Sequence, residues 1–145
     1  MSKKAKIWVA LLCGIAAIVC TSCENLFSIE YRIVGSWQVS HTYLNDVEID
    51  STEYIGYAPQ TYYYIYAEHV MSVMARYGIE YRESSFAFWV ADQKNKTVNF
   101  QYTFFGKEYD FTASILKLTK SELLIEFTDE EGNRWKLQLF SRSRF

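Results

Sequence analysis

Gly35-Ser36-Trp37-Gln38-Val39-Ser40-His41-Thr42-Tyr43-Leu44 decides the fold, because from Ser36 to Tyr43 it alternates strictly between two kinds of side chain. Trp37, Val39, His41 and Tyr43 share one side, and Ser36, Gln38, Ser40 and Thr42 share the other. That period of two marks a strand with one face in a core. A strand of this kind needs other strands to lie against, and the rest of the chain supplies them. Val98, Phe100, Tyr102 and Phe104 alternate with Thr97, Asn99, Gln101 and Thr103, and Trp135, Leu137 and Leu139 alternate with Arg134, Lys136 and Gln138.

Strands are expected from Ser85 to Ala91, Thr97 to Phe105, Glu108 to Leu118, Glu122 to Thr128 and Arg134 to Phe140. Turn chemistry separates them at Asp92 to Lys96, Gly106-Lys107, Thr119 to Ser121 and Asp129 to Asn133. Near the start of this series, Asn45-Asp46 tolerates the positive φ of a tight hairpin, and Val47 and Ile49 alternate beyond it. Ser51 to Gln60, with Gly56 and the single proline Pro59, has no period and reads as a long loop. Thr61 to Gly78 is ambiguous. Ala67, Val70, Met71, Met74 and Tyr77 fall at helical spacing, yet Tyr62-Tyr63-Tyr64-Ile65-Tyr66 is a strand composition, and a hairpin turning near Glu68-His69 is the favoured reading. The whole is an all-β chain. A meander of about eight antiparallel strands removes its unpaired edges by closing on itself, so the expected fold is a single up-and-down barrel over residues 34–145.

The chain begins differently. Lys3, Lys4 and Lys6 precede an apolar run from Ile7 to Cys20, which matches a secretory leader and is too short for a spanning helix. Cys20-Thr21-Ser22-Cys23 resembles the lipobox of bacterial lipoproteins, with Ser22 before the cysteine and polar Glu24-Asn25 after it. The resemblance implies a leader over 1–22, an acylated Cys23, and a tether over 23–33 that anchors the exported domain to the cell envelope. The outer membrane is the expected site, with the leaflet open.

All three cysteines, Cys13, Cys20 and Cys23, lie in this first segment, so the mature domain is expected to rest on its core and not on disulfides. Removing Lys3, Lys4 and Lys6 from 15 basic residues leaves 12 against 17 acidic ones, a formal charge of about −5. No basic run stands out along the sequence, which argues against nucleic acid and anionic headgroups as partners.

Gly35-Ser36-Trp37 opening the first strand, the Leu118-Thr119-Lys120-Ser121-Glu122-Leu123 turn and a last strand ending Phe140-Ser141-Arg142 together resemble the lipocalin-like domains of bacterial (Bacteroidetes-type) lipoproteins. The resemblance spans most of Ile33 to Arg142. It implies that Trp37 plugs the closed end of a barrel, that Arg142 packs over it by a cation–π contact, and that the open mouth takes a small apolar or amphipathic molecule.

Catalytic signatures are missing from the sequence: there is no Gly-x-Ser-x-Gly elbow, no phosphate loop, and only two histidines, His41 and His69. Asp46, Glu48, Asp50 and Glu53 sit close together, but Ser51 and Tyr57 stand where a calcium loop needs glycine and glutamate. No cofactor or metal is expected. If the barrel binds a ligand, Tyr43 and His41 are the expected inward contacts, joined by Tyr62, Tyr64 and Tyr66, which alternation puts on one face. The competing expectation is a filled barrel that docks another envelope protein, since the mature chain carries three Trp, twelve Tyr and ten Phe, each removing roughly 150–250 Å² when buried, and an eight-stranded barrel is just wide enough for side chains to fill.

Overall fold

A computed structural model describes residues 27–50, 56–77 and 79–143. A short helix, α1 (Ile29–Arg32), leads into ten strands: β1 (Gly35–Leu44), β2 (Val47–Ile49), β3 (Tyr62–Ile65), β4 (Met71–Tyr77), β5 (Glu80–Glu83), β6 (Ser85–Asp92), β7 (Thr97–Phe104), β8 (Lys107–Leu118), β9 (Glu122–Thr128) and β10 (Arg134–Ser143). The expected leader and Cys23 lie outside the described residues. All strand pairs are antiparallel, in the order β5-β4-β3-β1-β10-β9-β8-β7-β6, with β2 paired only to the end of β1. The sheet curls until its two sides nearly meet. A bridge joins Val70 to Phe88, Ser84 N donates to Val73 O at 2.8 Å, and Trp89 N donates to His69 O at 3.0 Å.

The strand count is ten, above the expected eight, for two local reasons. β2 is a three-residue return of the hairpin at Asn45 and Asp46, both at positive φ. β5 and β6 run into one another and are parted only around Ser84–Phe86, where Phe86 takes φ 48°. Between β3 and β4 the chain turns at Glu68 and His69, with φ 64° and 65°, so the ambiguous stretch is the hairpin and not the helix.

Alternation along the strands fills the interior. At mid-height Val39, Tyr63, Val73, Phe100, Ala113, Ile125 and Leu137 are shut off from solvent. Trp37 lies toward the end from which β1 starts, its indole N–H donating to Ile33 O at 2.8 Å. α1 falls within the stretch 23–33 expected as a tether, and it packs on the barrel. Ile29 and Ile33 are buried, and α1 lies across the closed end as a cap. Ile29 N donates to Gln93 Oε1 at 2.7 Å, the Arg32 guanidinium donates to the Leu118 carbonyl, and Glu30 Oε1 lies 3.3 Å from His69 Nε2, so three separate turns are tied to one four-residue helix.

The expected packing of Arg142 over Trp37 is corrected. Leu137 and Leu139 point inward on β10, Ser141 is the register partner of Trp37, and Arg142, the extra residue where the pairing slips between Ser36 and Trp37, is exposed to solvent. The arginine that reaches across the closed end is Arg32.

Candidate functional site

Two surfaces are built well enough to act, the mouth and the outer wall, and the bulge in β1 separates them. Between Val39 and His41 the pairing with β10 slips, since Val39 faces Leu139 while His41 faces Gln138. Ser40 is the extra residue, and every side chain beyond it changes face. Thr42 therefore points inward and is fully buried, while His41 and Tyr43 point outward. The inward placement expected for those two is corrected: His41 Nδ1 sits 2.6 Å from Glu48 Oε1 on the outer surface, and Tyr43 lies between Lys136 and Glu48.

The mouth is stoppered. The chain from Gly56 to Thr61 dips into the barrel between β2 and β3, with Gln60 N donating to Val39 O at 2.7 Å and Val39 N donating to Thr61 O at 2.8 Å. Thr42 Oγ1 donates to Tyr57 O, and Tyr63 OH donates to Gly56 O. The Tyr57 ring is thereby held among four others, with centroids 4.9 Å from Trp135, 5.2 Å from Phe127, and 5.5 Å from Tyr109 and Phe111. Tilted and edge-on arrangements at these distances are favourable beyond the area they bury. Gly56 sits at φ +96°, and a Cβ there would meet Tyr102 OH at 3.2 Å, so this approach of backbone to ring suits glycine. Below the stopper, Tyr63 and Tyr102 are completely buried with hydroxyls 3.5 Å apart. Burial pushes both phenols, and Tyr57, well above the usual tyrosine range, so they remain neutral.

At the rim, desolvation by itself would raise the Asp129 carboxyl. The Trp135 indole N–H at 2.8 Å and the Asn133 and Glu131 amides at 2.9 Å outweigh it and hold the group below the usual carboxylate range.

The second surface is the outer wall of β3, β4 and β6. Tyr63 and Ile65 take the inward positions of β3, so Tyr62, Tyr64 and Tyr66 face out; Tyr62 and Tyr64 stack at 5.9 Å with planes 11° apart. Alternation does bring the three tyrosines to one face, but it is the opposite face from the one expected to meet a ligand inside. Tyr66 N donates to Val70 O, Val70 bridges Phe88, and Phe86 and Val90 flank Phe88 on the same side of β6. Phe86, Phe88 and Val90 are all at least half exposed. The result is a continuous aromatic and aliphatic face.

A shallow open cleft of about 490 Å³ lies between α1 and the β3–β4 turn, lined by Glu30, Tyr31, Val34, Glu68, His69 and Trp89. His69 is already engaged there, with Nδ1 3.1 Å from Trp89 O and Nε2 3.3 Å from Glu30. His41 and His69 stand apart, and no three His, Cys, Asp or Glu side chains come together for a metal among the described residues. Sequence reasoning missed Tyr57, Tyr102 and Tyr109 as a unit; an aromatic beside glycine in an otherwise aperiodic loop was the one signal that pointed to them. Comparison with known protein families and with curated proteins returns no match.

Proposed function

We propose that this chain is an exported, lipid-anchored, non-catalytic interaction module, a filled barrel that meets a partner protein of the cell envelope through its outer wall. One observation carries the reading: Tyr57 and its loop occupy the mouth where a ligand would enter. A ligand would have to displace a ring in contact with four others and break the bonds from Thr42 and Tyr63. The exposed face of Tyr64, Tyr66, Val70, Phe86, Phe88 and Val90 supports it, since contiguous apolar surface of this kind marks interaction sites. The lipocalin-like resemblance is supported by Gly35-Ser36-Trp37 opening β1 under a capped end, and departs from the family pattern at Arg142.

The competing reading is a small apolar ligand held at the mouth, with Tyr63, Tyr102 and Tyr109 as its polar contacts once the loop withdraws. The purified chain is extracted with organic solvent for mass spectrometry and titrated with an apolar fluorescent probe, alongside Tyr57→Ala. We expect no co-purified compound and no saturable binding in the unsubstituted chain, with binding appearing in Tyr57→Ala. Photo-crosslinkers at Phe88 and Tyr64, introduced in cells, are expected to capture one protein repeatedly, and a crosslinker at Thr112 on the far wall is not. A stoichiometric apolar compound from the unsubstituted chain would overturn the filled-barrel reading.

A further inference from the structure

We infer that the closed end of the barrel is a bilayer-docking face, with Phe27 and Tyr31 set at the lipid interface and the lysines of the neighbouring turns against anionic headgroups. This goes beyond the proposed function and rests on its lipid-anchored reading.

The sequence shows no basic cluster, but the fold makes one. Because consecutive strands run in opposite directions, alternate turns gather at the same end. The closed end collects α1, the β3–β4, β6–β7 and β8–β9 turns and the last residues of β10, and with them six cations, Arg32, Lys94, Lys96, Lys117, Lys120 and Arg142, against Glu30, Glu68, Asp92 and Glu122. The mouth collects Arg82, Lys107 and Arg134 against nine carboxylates: Asp46, Glu48 and Asp50 on the β1–β2 hairpin, Glu80 and Glu83 on β5, Glu108 after the β7–β8 turn, and Asp129-Glu130-Glu131. Arg76, Lys136, Asp110 and Glu126, within the strands, balance one another. The domain is thus acidic overall and yet positive at one end. Lys94, Lys96, Lys120 and Arg142 are exposed there and enter no ion pair among the described residues. Basic side chains held near an anionic leaflet are each attracted to it within a Debye length.

Aromatic chemistry marks the same end. Phe27 and Tyr31 pack ring to ring at 4.9 Å and are still 58% and 60% exposed, on the outer side of the helix whose Ile29 faces the core. The Tyr31 ring, with one apolar and one polar aspect, is of the kind that partitions to the membrane interface, and Phe27 adds apolar area beside it. Only Glu24, Asn25 and Leu26 separate Cys23 from Phe27, a span that even fully extended reaches at most about 14 Å. An acyl chain on Cys23 therefore leaves this end, and not the acidic mouth, beside the bilayer, and a second signal next to a lipid makes anchoring stable.

The test uses the acylated chain in phosphatidylethanolamine vesicles containing a minority of phosphatidylglycerol, with brominated lipid as a contact quencher of tryptophan. Trp37, Trp89 and Trp135 are buried and give a background measured on the unsubstituted chain. We expect the added emission of Y31W to be quenched by brominated lipid and that of F105W, at the mouth, to be unaffected. Reversal of the lysines in K94E/K96E/K120E is expected to relieve the Y31W quenching while the acyl mass on Cys23 persists. Equal quenching of Y31W and F105W with that mass present overturns the docking face and leaves the anchor standing. Unchanged quenching in the lysine variant overturns the headgroup contacts, and absence of acyl mass overturns the anchored reading together with this one.

Discussion

A phenol without water around it keeps its proton, and the barrel puts that to use beneath its stopper. Tyr63 donates to the Gly56 carbonyl only while protonated, and burial raises its ionisation well above the usual range. In the unfolded chain the same group ionises near pH ~10. Below that pH both states hold the proton and the stabilisation is complete; above it the unfolded chain sheds a proton that the folded chain retains, so stability falls as pH rises. Each such phenol contributes a slope of about 1.4 kcal/mol per pH unit above ~10. Tyr63→Phe is expected to lower stability at neutral pH by about 1–2 kcal/mol, through the bond lost by a buried carbonyl. It should also make the alkaline fall in the urea midpoint shallower, and an unchanged slope would mean that the group is hydrated. Trp37 and the two arginines separate in the same way. Trp37→Ala should cost about 3–5 kcal/mol. Arg142→Ala should stay within about 0.5 kcal/mol, as exposed substitutions do, whereas Arg32→Ala should cost about 1–2 kcal/mol by freeing the Leu118 carbonyl. Thermal melts of the three variants decide the order.

The elements divide into those dictated locally and those dictated from a distance. The loop from Gly56 to Thr61 belongs to the second kind. Gly56→Ala places a Cβ 3.2 Å from Tyr102 OH on a backbone at φ +96°, and a cost of about 1–3 kcal/mol follows from that conformation alone. Tyr57→Ala should cost about 3 kcal/mol, as aromatic truncations do, and open the mouth to an apolar probe. If Gly56→Ala melts like the unsubstituted chain, the loop does not enter the barrel in solution. Strands β7 to β10 were legible in the sequence because alternation and turn residues are local properties, and the Asn45-Asp46 and Glu68-His69 turns were legible for the same reason. The bulge at Ser40 was not: alternation runs unbroken from Ser36 to Tyr43, so the slip against β10 leaves no trace, and His41 and Tyr43 were assigned to the wrong face. In β3 both faces carry aromatic side chains, so Tyr62, Tyr64 and Tyr66 were legible as a set while their direction was not. Four residues of α1 are too few to show a helical period.

Taken whole, the molecule is a ring of strands with one weak joint. β1 pairs with β10 along nearly its full length, and β7 with β8 likewise. β4 and β6 share no continuous ladder, because β5 takes the far half of β4 and Phe86 bends the chain away; the Val70–Phe88 bridge, the amide bonds of Ser84 and Trp89, the Val73 amide on Ser84 Oγ and the Trp89 indole on the Tyr66 and Val70 carbonyls hold them instead. A cooperative sheet opens where its ladder is thinnest, and local opening free energies range from near zero up to that of global unfolding. The wall proposed to meet a partner spans this joint, since Val70 lies on one side of it and Phe88 on the other. Under native conditions the Ser84 and Trp89 amides are expected to exchange with solvent deuterium at least about tenfold faster than Val39 N–H, an opening free energy lower by about 1.4 kcal/mol. A partner seated across Val70 and Phe88 would clamp the joint and slow those two amides selectively, leaving Val39 unchanged. Exchange of Ser84 and Trp89 at the rate of Val39 in the isolated chain would mean that the barrel is fully closed, and would remove the mobility argument from this face.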